Sequence, residues 1–440
     1  MMAGLVGLAG RLEQRSAGLL ALVKLANVAL AMAWGFVVTF VFVRLLPLEE
    51  FRSFLLLVAF ANFTVSAELG LSAIVYSRLR RDRVAGEGGF RAEEITALLW
   101  LLGAIVLAGA LLIAAAIAGG LIQTRYPALF IAFYGASAIN LIAVLARRAL
   151  AALDHNLWWE GLDFLRRAAG IALLLAALVG LPILDAVLAQ LVFAGLLLWM
   201  GLATIHRSLA MRGGDWLAWR RGASHVRAHY LADFGRTGAL TLFDVAAYNA
   251  PYFTIAAATL DPRPLLLFDF AFKMSRALSA VIRALIETVL PGLTRAWFGG
   301  EGLRFRAGLK RASLLTLGVA LAAALGVLLL GRPLAQLIFD GHMVPTMTEL
   351  AMIALLLLGL WPTCVSVYLQ NGLGRFGALV GPSFLFLVGS LASVPVAAAL
   401  HVPIDWTVSL AFIAVYALVH VSLGLVHGRM LGRLAPEIAS

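Results

Sequence analysis

Residues 269–287 read DFAFKMSRALSAVIRALIE, and five of these nineteen are ions: Asp269, Lys273, Arg276, Arg283 and Glu287. LLLF precedes the stretch and VLPGL follows it, so the charges sit inside a run long enough to cross a bilayer. On a helix with Asp269 at 0°, Lys273 falls at about 40°, Arg276 at about 340°, Arg283 at about 320° and Glu287 near 0°. All five therefore share a stripe roughly 80° wide at about 100° per residue. One ion at the centre of a span costs about 2.5–3.5 kcal/mol, so five facing lipid would cost on the order of 10 kcal/mol. The stripe is expected to line water between helices, with the apolar remainder facing hydrocarbon.

The rest of the chain makes a membrane the only tenable solvent. Of 440 residues, 62% are hydrophobic and 13% charged, and the mean hydropathy is +0.96. A soluble domain cannot hide so much apolar surface. Apolar runs predict twelve spans, at about 18–43, 53–77, 95–119, 127–149, 167–183, 185–206, 236–259, 264–290, 312–331, 347–369, 376–400 and 405–427. The fold class is thus an all-α polytopic membrane protein with twelve transmembrane helices. The connection 207–235 divides it into an N-terminal six-helix bundle (18–206) and a C-terminal one (236–428). A cytoplasmic interfacial helix (1–17) and a cytoplasmic tail (429–440) complete the expected organisation.

Orientation follows from Lys and Arg. With the N-terminus inside, 25 of the 34 basic residues fall in cytoplasmic segments and 5 in outer loops. The net charge of +11 is then a topology signal and an affinity for anionic lipid heads; charges dispersed over many short loops do not make a nucleic-acid surface. Both termini are expected in the cytoplasm. The single cysteine, Cys364, excludes an intrachain disulfide and reads as a small core residue. His225 and His229 lie one turn apart in the linker without a third ligand nearby, so they read as a solvated face, and no metal site or cofactor is expected.

Four basic residues remain inside the spans: Lys24, Lys273, Arg276 and Arg283; the acids at membrane depth are Glu68, Asp244, Asp269 and Glu287. Asp269 with Lys273, and Arg283 with Glu287, are one-turn pairs. Asp244 shares the depth of Arg283, and Glu68 that of Lys24. Arg276, near the midplane, has no evident mate and is the leading cation for an anionic headgroup, with Lys24 and Lys273 beside it. Glu68, Asp244, Asp269, Arg283 and Glu287 form the accompanying charge network. Asn27, Asn62, Asn140, Tyr248 and Asn249 are candidate sugar contacts. Trp158, Trp159, Trp361 and Trp406 read as interfacial anchors, and Pro251 and Pro362 as bends in their spans.

Residues 43–81, VRLLPLEEFRSFLLLVAFANFTVSAELGLSAIVYSRLRR, resemble the first hairpin of the polysaccharide-lipid (O-antigen type) flippases of the multidrug/oligosaccharidyl-lipid/polysaccharide exporter superfamily. Arg44, Leu46, Glu50 and Phe51 match the turn of that family; Glu68, Leu69, Gly70, Leu71 and Arg78 match its acidic D-L-G-L element and the base after it. Arg52 stands where glycine is usual and Glu68 where aspartate is usual. ETVLPGLTR (287–295) and YLQNGLGRFGALVGPS (368–383) are similar to two further short family elements.

The resemblance implies two six-helix bundles in a V around a central cavity, moving a polyprenyl-diphosphate-linked oligosaccharide across a bacterial inner membrane by alternating access. Arg276, helped by Lys24, would hold the diphosphate. The implied partners are this lipid-linked oligosaccharide, membrane lipids, a coupling cation (H+ or Na+) and polysaccharide-assembly proteins. Two rivals stand beside this flippase reading. A multidrug exporter of organic cations shares the fold but wants an acidic excess, whereas the stripe at 269–287 is net +1. A membrane oligosaccharide polymerase or ligase wants a large outer loop, and none is expected, so the chain is not read as an enzyme.

Overall fold

The computed structural model describes the backbone of residues 2–85, 89–404 and 406–437; side chains of 2–18, 21, 84–85, 231–234, 236–237, 402–403 and 435–437 are not among those described. Arg11, Arg15 and Arg236, counted for topology, fall outside the described side chains. Thirteen α-helices make up the described chain: α1 (Met2–Leu45), α2 (Leu48–Ser66), α3 (Leu71–Ala85), α4 (Ala92–Ala118), α5 (Pro127–Ala152), α6 (Asn156–Ala177) and α7 (Ile183–Ser208), then α8 (Trp219–Ala258), α9 (Arg263–Phe298), α10 (Gly302–Ile338), α11 (Met347–Gly372), α12 (Phe376–Ile404) and α13 (Val408–Glu437). A short 3₁₀ turn, Gly213–Leu217, precedes α8.

Among the described residues, nine segments are long and apolar enough to cross a membrane, with α2 and α3 together forming one of them. The three other long helices, α6, α8 and α9, carry clustered ions. With them the helices account for twelve spans, and the all-α polytopic class stands.

Several boundaries differ from the sequence reading for physical reasons. The span expected at 53–77 is broken. Leu69 and Gly70 take φ of 47° and 85°, a left-handed bend that favours glycine. The Glu68 carboxylate accepts the Ser72 N–H at 2.9 Å and so caps the restarted helix. The span expected at 167–183 begins instead at Asn156. There Asp163 is held by Arg166 at 2.6 Å and Arg167 at 2.9 Å, which neutralises the first turns. The expected linker 207–235 contains the start of α8, which runs unbroken into the following span. The expected break near residue 17 is likewise absent from the α1 backbone.

The chain forms two compact units, Met1–Val41 with Phe60–Gly235 and Phe42–Ala59 with Arg236–Ser440. The first hairpin is therefore shared: its turn belongs to the second unit. In the first unit the core is aliphatic, built from Val75, Ile95, Leu98, Leu141, Leu150 and Ile205. Trp159 belongs to this interior, 4% exposed, and a Cβ on Gly201 would stand 2.6 Å from its ring. It is a packing residue and not an interfacial anchor.

In the second unit α11 packs against α9, α10, α12 and α13. A Cβ on Gly359 would lie 2.6 Å from the Val421 backbone nitrogen, and one on Gly424 would lie 2.3 Å from the Gly359 carbonyl oxygen. Only glycine permits α11 and α13 to approach so closely, the small-residue contact by which helices associate without a hydrophobic driving force. Trp361, inside α11, donates its indole N–H to Thr316 at 3.0 Å, again an interior role.

The hairpin turn is tied into this second unit by its arginines. Arg44 donates to the Leu337 carbonyl at 2.7 Å and pairs with Asp340 at 3.0 Å, at the end of α10. Arg52 donates to the carbonyls of Ala256 and Thr259, each at 2.5 Å, and of Leu260 at 3.3 Å, at the end of α8. Both guanidinium groups meet the unsatisfied carbonyls and negative dipole end of a helix C-terminus.

Candidate functional site

The ionic stripe lies on α9 and grades from buried to exposed along the helix. Asp269 is 1% exposed. It accepts the Tyr252 hydroxyl at 2.6 Å and is ion-paired with Lys273. Phe268 packs edge-on to Tyr252, Phe412 and Tyr416, so this pair sits in an aromatic shell. Farther along, Arg283 donates to Glu287 at 2.8 Å, both groups exposed. Arg283 also lies over the Tyr368 ring at 5.9 Å, and the Tyr368 hydroxyl meets Ser279 at 2.8 Å.

Arg276 stands between these two pairs on the same helix and is exposed on the second unit. Its electrostatic neighbour is Asp244 on α8, whose carboxylate accepts the Ser383 hydroxyl at 3.0 Å. With Asp244 included, three acids accompany the three bases: Asp244, Asp269 and Glu287 beside Lys273, Arg276 and Arg283. The cluster is charge-balanced, where the stripe of α9 by itself is net +1.

Of the other sequence-predicted residues, Tyr248 borders this cluster, within electrostatic reach of Asp244 and Arg276. Tyr248 is half-buried among Phe272, Phe386 and His420. Asn249 is buried and bonds back to the Val245 carbonyl at 2.9 Å. Asn140 does the same to Ser137 at 2.8 Å. The Asn62 carbonyl accepts from Ser66 at 2.9 Å. In the first unit Lys24 is exposed, and among the described residues no ion pair joins it to Glu68. Asn27 is buried and donates to the Glu160 backbone carbonyl at 2.9 Å and to its carboxylate at 2.8 Å.

Sequence reasoning missed the buried carboxylates Glu94, Glu160, Asp163 and Glu349, the last held by Arg263 at 2.7 and 2.8 Å. Glu160 pairs with Arg147 at 2.9 Å and with Asn27 across helices. Glu94, fully buried, is a hub. It accepts Arg78 at 3.2 and 3.1 Å, the Tyr230 hydroxyl at 2.7 Å and the Arg91 N–H at 3.1 Å, and His225 lies 3.0 Å away. Burial, reinforced by the adjacent Glu94 charge, pushes the Tyr230 phenol well above its ordinary value. His225 is thus a partner of Glu94, and the reading of a solvated linker face does not hold for it. The acids stand at helix starts among arginines, where sequence alone reads a polar loop. The spacing of Asp163, Arg166 and Arg167 was the visible sign that such arginines are paired. Among the described residues no group of His, Cys, Asp and Glu is arranged to hold a metal.

Comparison with known proteins yields a fold. No family model and no curated protein matches the chain. Among solved structures, an inward-facing multidrug resistance MATE family transporter of the MOP superfamily superposes with a TM-score of 0.65 at 13% identity, over 95% of this chain and 99% of the other. An outward-facing MATE family transporter of the same superfamily gives 0.64 at 12%, over 96% and 95%. A mutant of the Vibrio cholerae MATE transporter VcmN gives 0.63 at 14%, over 94% and 95%. The chain is therefore similar in fold, end to end, to MATE transporters of the MOP superfamily.

Proposed function

We propose that this chain is a multi-pass membrane transporter that works by alternating access and exports amphipathic small molecules. The observation that carries the reading is the full-length likeness of fold to transporters captured inward-facing and outward-facing. The balance of charge around α9 supports the cargo. Lys273 and Arg283 are each neutralised within one turn, and Arg276 has Asp244 beside it. A diphosphate would meet little uncompensated positive charge in this unit. Tyr248, Phe272 and Phe386 pack together beside Asp244 and Arg276, an aromatic surrounding with few polar groups of the kind small amphipathic ligands use. Asp244, held by one hydroxyl, is the carboxylate best suited to exchange a coupling cation, H+ or Na+. Placement in a plasma membrane with both termini on the arginine-rich side, and duplication of two six-span halves, belong to the same proposal.

A second reading, transport of a polyprenyl-diphosphate-linked oligosaccharide with its assembly partners, is favoured by one observation. Lys24 and Arg276, its two leading cations, are exposed. One pair of assays separates the readings. Cells producing the chain should accumulate several-fold less of a fluorescent organic cation, and Arg276→Ala should change this by less than about twofold. Proteoliposomes should fail to flip a fluorescent polyprenyl-diphosphate saccharide. Flipping that depends on Arg276 and Lys24 would install the second reading; movement of neither cargo would remove transport altogether.

A further inference from the structure

The first unit contains a groove that neither cargo reading uses. Its volume is about 550 Å3. α4 from Ala97 to Ala104 forms one wall, α8 from Trp219 to Tyr230 the other, and Leu71 completes the lining. The walls are fixed. A Cβ on Gly222 would fall 1.9 Å from the Glu93 carbonyl, so α8 is seated hard against α4 there. The Trp100 indole donates to the Trp216 carbonyl at 3.0 Å, tying α4 to the turn that leads into α8. Tyr230 turns its hydroxyl to Glu94 and leaves its ring to the groove.

We infer that this groove binds one acyl chain of an anionic phospholipid, with the phosphate on Arg227. The α4 wall belongs to a membrane span of hydropathy 2.7, so an occupant reaches it from lipid and not from water. Arg227 is the charged side chain of the lining, exposed, and without an ion pair among the described residues. Arg220 and Arg221 are exposed on the preceding turns of α8, while the nearby Asp215 is engaged by the Arg212 N–H at 2.6 Å. Arg220, Arg221 and Arg227 outnumber the neighbouring acids Asp215 and Glu93, so the rim is net cationic and complementary to a phosphodiester with no compensating cation. Trp100 and Trp219 are 55% and 44% exposed, amphipathic rings of the kind that favours a membrane interface. A zwitterionic headgroup fits the apolar walls equally but sets its own cation against the arginines.

The test uses the full chain in phosphatidylcholine vesicles carrying a dibrominated lipid, either phosphatidylglycerol or phosphatidylcholine. Bromine quenches nearby tryptophans, and the difference between the wild type and a Trp100→Phe/Trp219→Phe variant isolates the groove among the 10 tryptophans. Brominated phosphatidylglycerol should quench that difference signal with about fivefold higher apparent affinity than phosphatidylcholine, the effect of one arginine beside a lipid of net negative charge. Arg227→Ala should abolish the preference, and Ala104→Phe, filling an exposed wall position, should reduce quenching by both lipids. Equal quenching in the wild type, or a preference that survives Arg227→Ala, overturns the proposal. Native mass spectrometry provides a readout that needs no tryptophan variant: phosphatidylglycerol should be retained by the wild type and lost from Arg227→Ala and Ala104→Phe, and equal retention by all three overturns it as well.

Discussion

Replacing Glu94 with alanine removes the acceptor that holds three segments together at one end of the first unit. The carboxylate is fully buried and receives two bonds from Arg78, one from the Tyr230 hydroxyl and one from the Arg91 N–H. The arginine is only 18% exposed and the tyrosine 2%, so neither recovers full hydration when its partner is lost. Breaking such a buried pair costs about 3–5 kcal/mol, most of it the stranded charge and not the lost attraction. For a unit of this size about 1 kcal/mol corresponds to about 2–4 °C, so the midpoint should fall by roughly 10 °C. Tyr230→Phe removes one bond and leaves the carboxylate well supplied with donors; it should cost about 1–2 kcal/mol. A cycle with Arg78→Ala isolates the coupling, expected at about 2 kcal/mol or more. Fluorescence-monitored unfolding in detergent supplies the midpoints, and hydrogen exchange of residues 213–230 reports whether the start of α8 is released. A loss below about 1 kcal/mol for Glu94→Ala would mean that water already reaches this carboxylate and would refute the reasoning.

Three further outcomes are expected. Arg52→Ala strips the C-terminal carbonyls of α8 of a charge-assisted donor and should cost about 2 kcal/mol in the same unfolding assay, with Arg52→Lys recovering only part of it. Gly359→Ala forces a methyl group into the Val421 backbone and should lower the yield of folded protein several-fold by size-exclusion chromatography, whereas Gly377→Ala, with nothing near its Cβ, should not. Gly214→Cys, in the exposed turn before α8, should resist an impermeant thiol reagent added to intact cells, since the native Cys364 is buried and the proposed topology puts the turn on the inner side; rapid labelling would reverse the topology.

Class and span number were legible in the amino-acid sequence because both follow from local quantities. Lengths of apolar runs against bilayer thickness give the helices, and the lopsided arginines carry the proposed orientation. The charges of α9 could be paired on paper because Asp269 with Lys273 and Arg283 with Glu287 lie one turn apart on one helix. Local reading reached no farther than a helix. It could not find that Asp244, from α8, balances Arg276, that Glu94 collects Arg78 and Tyr230, or that Asn27 closes on Glu160, since each contact joins residues distant in the chain. Nor could it tell that Glu68 would end one helix and begin another. The sequence by itself determined how many helices enter the membrane and which of them carry ions; only the tertiary structure decided which ions are spent on one another and which stay exposed. The reason is that the cost of a charge in a low-dielectric medium is set by what lies within a few ångströms of it, and for Arg276, Glu94 and Glu160 that neighbour comes from another helix.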